Sequence, residues 1–216
     1  MSRVFLLSPA RSAGKRAAML TRAAASFELA RQVQIGAANL GDVFAFCSGL
    51  YFRGKLAYAR RFADAPPGAV GVYIITPSRG LVAVDTSVGL AVLAEFASVR
   101  VDSAEPRFTA PLKKTAAELA ANDATEVVLL GSVATGKYLD TLLPIFGERL
   151  HFPEEFAGRG DMSRGALLLR SVTANQELRY VPVPHPRVSK RALGKQAARE
   201  HPRSAASDSD EGVTPQ

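Results

Sequence analysis

The sequence predicts an α/β fold: a mostly parallel or mixed sheet flanked by helices, forming a single domain over residues 1–184 with a disordered tail at 185–216. Three observations carry this reading. Short apolar runs rich in Val, Ile and Leu recur near residues 4–8, 71–75 and 126–130. Longer stretches with apolar residues at helical spacing lie between them, and that alternation belongs to a sheet covered on both faces. After Val183 the periodic apolar residues stop, leaving Pro-His-Pro, scattered Lys and Arg, and Ser-Asp-Ser-Asp-Glu, a composition that cannot bury a core.

Taken in order, Val4 to Ser8 closes at Pro9 and reads as a buried strand entering a turn. Residues 15–34 are rich in Ala and Arg at helical spacing, enough for one or two helices. A short unit opens at Gly41-Asp42 and ends at Ser48-Gly49. From Tyr51 to Phe62, Leu56, Tyr58 and Phe62 interleave with Arg53, Lys55, Arg60 and Arg61, which predicts an amphipathic helix with a cationic face. Pro66-Pro67-Gly68 breaks it. Gly71 to Ile75 is β-branched and aromatic, turning at residues 76–80. Helices are expected at 90–99 and 112–122, a buried strand at 126–130, and a helix at 138–146. Residues 166–171 and 178–183 read as a closing hairpin turned at Ala174-Asn175.

The 216 residues suit one domain with an appendage, and 47% apolar content is enough for a sizeable core. No apolar run approaches the roughly 18 to 20 residues of a membrane span. The N-terminal apolar stretch is shorter than the roughly 7 to 15 residues of a signal-peptide core, so a cytoplasmic protein is expected. Cys47 is the only cysteine and there are three histidines, which excludes an internal disulfide and argues against a Cys/His metal centre. No metal ligands are predicted, and the cofactor is left open. Net charge is +7 with a pI near 9.9. Six of the 27 Lys and Arg and four of the 20 Asp and Glu fall at 185–216, so the body is itself basic at +5. Such a surface favours polyanionic partners, DNA or a nucleotide.

In a wound α/β sheet, ligands bind where strands end. Four loops there carry small and cationic residues: Ser8-Pro9-Ala10-Arg11, residues 76–80 with Ser78 and Arg79, residues 131–137 with Ser132 and Lys137, and residues 158–164 with Arg159, Asp161, Ser163 and Arg164. Small residues admit an anion to the backbone amides and Arg forks phosphate; equally, Gly, Pro and Ser punctuate any such fold. Gly131 to Lys137 satisfies G-x-x-x-x-G-K, but Tyr138 stands where a phosphate-binding loop needs the Mg²⁺-holding Ser or Thr. Asp161, between two arginines, reads either as an ion-pair clamp on its loop or as a catalytic base. Asp85 is the second acid–base candidate, and it converges with Asp42 and Asp161 only if tertiary structure brings them together. Ser8, Ser48, Ser78 and Ser132 have no histidine at a spacing that suggests a serine hydrolase. Tyr51, Phe52 and Tyr58, among Arg53, Lys55, Arg60 and Arg61, suit either base stacking or the buried side of a helix.

These loops carry a collinear resemblance. Leu6 to Arg11 resembles the I-S-P-A-K stretch of the YaaA-like peroxide-stress proteins, with Arg11 for the Lys. Residues 41–50 are similar to their G-D-V-Y-x-G-L, and residues 75–85, with Ser78, Gly80, Leu81, Val82 and Asp85, to their S-G-L-Y-G-x-L-x-P-x-D. Residues 129–139 resemble N-L-A-S-x-E-Y-F, and Arg159 to Arg164 resembles A-R-G-x-M-S-R-F. The matches span about residues 4–170, and a related group of uncharacterised bacterial domains shows a similar Lys/Arg-rich helix followed by a strand-turn and G-L-x-x-x-D. The resemblance implies a DNA-binding protein that protects DNA under oxidative stress. Its body would grip phosphates through Arg11, Arg79, Lys137, Arg159 and Arg164, and Lys190 to Arg203 would add attraction. The alternative is an enzyme acting on a nucleotide or nucleobase, an N-glycosidic bond hydrolase or transferase, with the four loops in one pocket and Asp161 or Asp85 as acid–base. A third reading is an interaction protein whose tail docks an acidic partner.

Overall fold

A computed structural model of the chain describes residues 2–10, 13–65, 69–121 and 125–184; Arg11, the Pro66–Gly68 break and the tail with Lys190 to Arg203 lie outside the described residues. In chain order the elements are β1 (Ser2–Leu7), α1 (Lys15–Thr21), α2 (Glu28–Gln34), β2 (Ala38–Asn39), α3 (Leu40–Ser48) and α4 (Leu50–Phe62). Next come β3 (Val72–Thr76), β4 (Gly80–Ala83), β5 (Ser87–Val88), α5 (Leu90–Ala97) and α6 (Pro106–Ala120). The last are β6 (Thr125–Leu130), α7 (Gly136–Phe146), β7 (Leu150–Pro153), α8 (Asp161–Ala174) and β8 (Tyr180–Pro182).

The main sheet is mixed and six-stranded, in the order β4-β3-β1-β6-β7-β8. Strands β3, β1, β6 and β7 run parallel; β4 and β8 are antiparallel edges. β1 pairs with β6 from Ser2↔Thr125 to Leu7↔Leu130. Phe5, Leu6 and Leu7 are wholly buried, as are Val128, Leu129 and Leu130, each contributing roughly 1.5 to 3 kcal/mol of apolar burial. The short strands β2 and β5 pair apart from the main sheet. Residues up to Val183 fold as one compact unit. Among the described residues no helix is long and apolar enough to cross a membrane.

The chain leaves β1 towards β3 on one side and leaves β6 towards β7 on the other, so the gap beyond the carboxyl ends of β1 and β6 is a topological switch point. Right-handed crossovers running in opposite directions put α4 and α6 on opposite faces of the sheet. On one face α4 packs against α8, and on the other α6 packs against α7. The α4–α8 crossing brings backbones together. A Cβ on Gly54 would stand 2.7 Å from the Gly165 carbonyl oxygen, and one on Gly165 would stand 2.9 Å from the Tyr51 Cα. This approach holds the head of α8 beside the first turns of α4.

Two expectations are corrected. The hairpin at 166–183 is instead α8 followed by the three-residue β8. Gly165, Leu168 and Ser171 are its buried positions, at helical spacing, and Asn175 ends the helix in the left-handed region at φ 50°. The run Ala166–Leu169 alone does not distinguish strand from helix. The cationic face of α4 also loses a member: Arg53, Arg60 and Arg61 are exposed, but Lys55 is 2% exposed.

Candidate functional site: a crevice at the switch point

The loop after β1, the loop after β6, the first turns of α4 and α7, and the head of α8 enclose a crevice of about 550 Å³. Of the sequence-predicted site residues it brings together Ser8, Ser132, Lys137 and Asp161, and it adds Tyr51, Lys55 and Tyr138. Each is placed by the fold. Ser8 is the first residue past β1, with its amide still held by the Leu130 carbonyl of β6 at 3.2 Å. Gly131 lets the end of β6 lie against it, since a Cβ there would stand 3.0 Å from the Ser8 Cβ. Ser132 accepts from the Ala134 amide at 3.3 Å, shaping the loop. Thr135 does not cap the N-terminus of α7 with its side chain, and the Asp140 carboxylate lies against Gly136; Lys137 and the helix N-terminus favour an anion at this edge.

At the floor of the crevice, the Lys55 Nζ donates to the Ser8 carbonyl oxygen at 2.6 Å and contacts the Ser8 Oγ at 2.8 Å. It also sits 4.5 Å from the Tyr51 ring centre and 4.8 Å from that of Phe52. Burial pushes the Lys55 pKa from 10.5 down to about 7, against the opposing pull of Asp161. Burial raises the Tyr51 hydroxyl to about 12, with Arg164 opposing. That hydroxyl is buried and makes no hydrogen bond of good geometry. Tyr138 is pushed upward too, by burial first and by Tyr51 and Asp161, while a hydrogen bond with Ser8 opposes. Cys47, also on the wall, is raised to about 11 by burial, which leaves it a poor thiolate at neutral pH. The result is a polar crevice ending in an amine, a hydroxyl and two phenols.

The other predicted residues go elsewhere. Ser78 and Arg79 sit in the β3–β4 turn and both bond Glu95 of α5; Arg79 does so through its Nε at 3.1 Å and a terminal nitrogen at 2.6 Å. These contacts hold the Glu95 carboxyl below its usual range, Arg79 foremost. Asp85 follows β4, which runs antiparallel, so it lies at the opposite rim. There it accepts from Asn39 at 3.0 Å and Arg60 at 2.7 Å, and the Asn39 bond, then Arg60, lowers its pKa. Asp42, 4.0 Å from the same Arg60, joins Asp85 there, and Asp161 does not.

The 158–164 loop is clamped, but not by its carboxylate. Arg164 donates twice to the Phe156 carbonyl, at 3.2 and 2.9 Å, and lies 5.2 Å from the Phe156 ring centre. Arg159 donates to the Glu155 carbonyl at 2.9 Å and to Ser163 at 3.2 Å. Asp161 approaches Arg164 only to 4.0 Å and keeps 74% of its side chain exposed at the crevice mouth.

Lys55 is the residue that sequence reasoning missed. Its signal was spacing: Tyr51, Lys55, Tyr58 and Phe62 fall on one stripe of α4, at i, i+4, i+7 and i+11. Among the described residues no group of three or more His, Cys, Asp or Glu is placed to hold a metal ion. No family model, curated protein or solved structure matches the chain.

Proposed function

We propose that the chain is an enzyme acting on a small phosphorylated molecule of the nucleotide class, bound in the crevice beyond β1 and β6. The observation that carries this is convergence: Ser8, Ser132, Lys137 and Asp161, from three distant stretches of sequence, line one polar crevice together with the buried Lys55. Ligands of wound α/β sheets bind at such switch points. The phosphate faces the head of α7 and Lys137, and the reacting bond lies deeper, over Ser8 and Lys55. With Tyr138 buried in the place of the usual Ser or Thr, the loop offers no hydroxyl for Mg²⁺ in the manner of an NTPase.

A DNA-binding role draws less support. Of the guanidinium groups expected to grip phosphates, Arg79 is paired with Glu95, and Arg159 and Arg164 are bound to backbone carbonyls. The test is thermal melting and calorimetry with nucleoside 5′-monophosphates against the parent nucleosides. The monophosphates should raise the melting temperature and the nucleosides should do so far less. Lys137→Ala should weaken monophosphate binding by about tenfold or more, the scale of one charge-assisted hydrogen bond. The reading falls if no monophosphate shifts melting while duplex DNA binds with affinity that drops steeply with salt.

A further inference from the structure

We infer that Ser8 and Lys55 form a nucleophile–base dyad that cleaves carboxylic esters or amides. The inference shares the crevice with the nucleotide reading and does not depend on it. An activated serine needs a base within hydrogen-bond reach, a dry setting that keeps that base neutral, and donors for the developing oxyanion. Histidine is the usual base, but lysine serves in Ser-Lys arrangements on other folds.

All three requirements are on hand. The Lys55 Nζ donates to the Ser8 carbonyl at 2.6 Å, which fixes the amine, and lies 2.8 Å from the Ser8 Oγ, the distance at which the neutral amine takes the hydroxyl proton. Lys55 is buried beneath the aromatic rings of Tyr51 and Phe52, yet the crevice opens onto both members of the pair. Tyr138 bonds Ser8 as well, and the head of α7 borders the same space. The Tyr51 hydroxyl, buried with no hydrogen bond of good geometry and with Arg164 nearby, keeps its proton to donate. A lysine serving only to satisfy the carbonyl at the end of β1 would need neither the contact with Ser8 Oγ nor an opening to the crevice.

The step balances without any further reagent than water. The Ser8 oxygen attacks the carbonyl carbon while its proton passes to the Lys55 amine. The tetrahedral intermediate then expels the alcohol or amine leaving group, which takes the proton back from Lys55. Water, deprotonated by the same amine, releases the acyl group as a carboxylic acid and restores Ser8. The substrate is an ester or amide small enough for the crevice, and an anionic substituent on it would meet Lys137.

The test uses a fluorophosphonate, from which a reactive serine displaces fluoride, with the full-length protein followed by intact mass and peptide mapping. One phosphonyl group per chain is expected, on Ser8. Ser8→Ala should give none, and Lys55→Met should slow labelling by about a hundredfold or more, with circular dichroism and melting confirming that both variants fold. A second measurement needs no variant: the wild-type labelling rate should rise with pH about a midpoint near 7. The titratable groups around Lys55 are Tyr51 on α4, Cys47 on α3, Lys137 and Tyr138 on α7 and Asp161 on α8; the phenols and the thiol are held protonated through this range by burial. An adduct elsewhere, no adduct, a flat pH profile, or undiminished labelling in folded Lys55→Met would each overturn the dyad. Labelling without monophosphate binding would leave it standing and remove the nucleotide reading alone.

Discussion

Helix α4 carries two buried tyrosines on one stripe, and their surroundings differ. Tyr58, towards the C-terminal end, belongs to a closed network. Its hydroxyl lies 2.6 Å from that of Tyr180 and accepts from the Leu178 amide at 2.8 Å. Tyr180 donates to Glu177 at 2.9 Å, and Arg3 ties Glu177 to Glu126 while lying over the Tyr180 ring. Tyr51, near the helix start, has a buried hydroxyl that makes no hydrogen bond of good geometry, with Arg164 nearby, and its neighbour is a lysine stripped of water. The same helix therefore supports one region where the tyrosine hydroxyl joins a closed network and one where it makes no hydrogen bond of good geometry, beside a buried lysine bonded to Ser8. Buried polar groups left unsatisfied are expensive and rare. Where they line a crevice, chemistry is a better account of them than stability.

The strongest way to break that comparison is to titrate Lys55. Its pKa in the folded chain is about 7 against an ordinary 10.5. Below pH 7 the folded and unfolded chains both carry the ammonium, and the penalty for burying it is felt in full. Between pH 7 and 10.5 only the unfolded chain binds that proton, so stability rises with pH across this window. At about 1.4 kcal/mol for each tenfold change, the whole span is worth up to roughly 5 kcal/mol. Urea denaturation of wild type and Lys55→Met, subtracted at each pH, isolates the effect. The difference should move in favour of wild type as pH rises from 7 to 10, and a difference independent of pH would mean that Lys55 is not dehydrated.

The satisfied end of α4 answers to a different change. Tyr58→Phe leaves the Leu178 amide without its acceptor and removes one partner of Tyr180. A loss of about 1 to 3 kcal/mol is expected, the penalty for orphaning a buried group, with phosphonylation of Ser8 unchanged. Slower labelling in this variant would show that the two regions are coupled.

How much of this was legible beforehand depends on whether the decisive contacts are local. The central strands were, because Val4 to Leu7 and Val127 to Leu130 are continuous apolar runs that only a covered sheet accepts. The crevice was half legible: Ser8 and the 131–137 loop follow those runs directly, and small residues at strand ends mark approach points. Ser78, Arg79 and Asp85 misled because their partners, Glu95 and Arg60, are 16 to 25 residues away along the chain. Arg159 and Arg164 misled because a guanidinium that binds carbonyls looks, in sequence, like one free for phosphate. Lys55 was hidden by the general rule that lysine faces solvent, although it sat on the stripe marked by Tyr51, Tyr58 and Phe62.

The finest test concerns the Tyr51 hydroxyl, buried with no hydrogen bond of good geometry. Tyr51→Phe removes an oxygen whose burial gains no hydrogen bond of good geometry, so stability should stay within about 1 kcal/mol of wild type or rise slightly. With its pKa raised to about 12 by burial, the phenol keeps its proton at neutral pH and has it to donate. Its loss should therefore leave the pH midpoint of Ser8 labelling in place and lower the plateau rate. A stability loss on the scale of Tyr58→Phe would show instead that Tyr51 is as fully bonded as its counterpart seven residues on, and the contrast between the two ends of α4 would disappear.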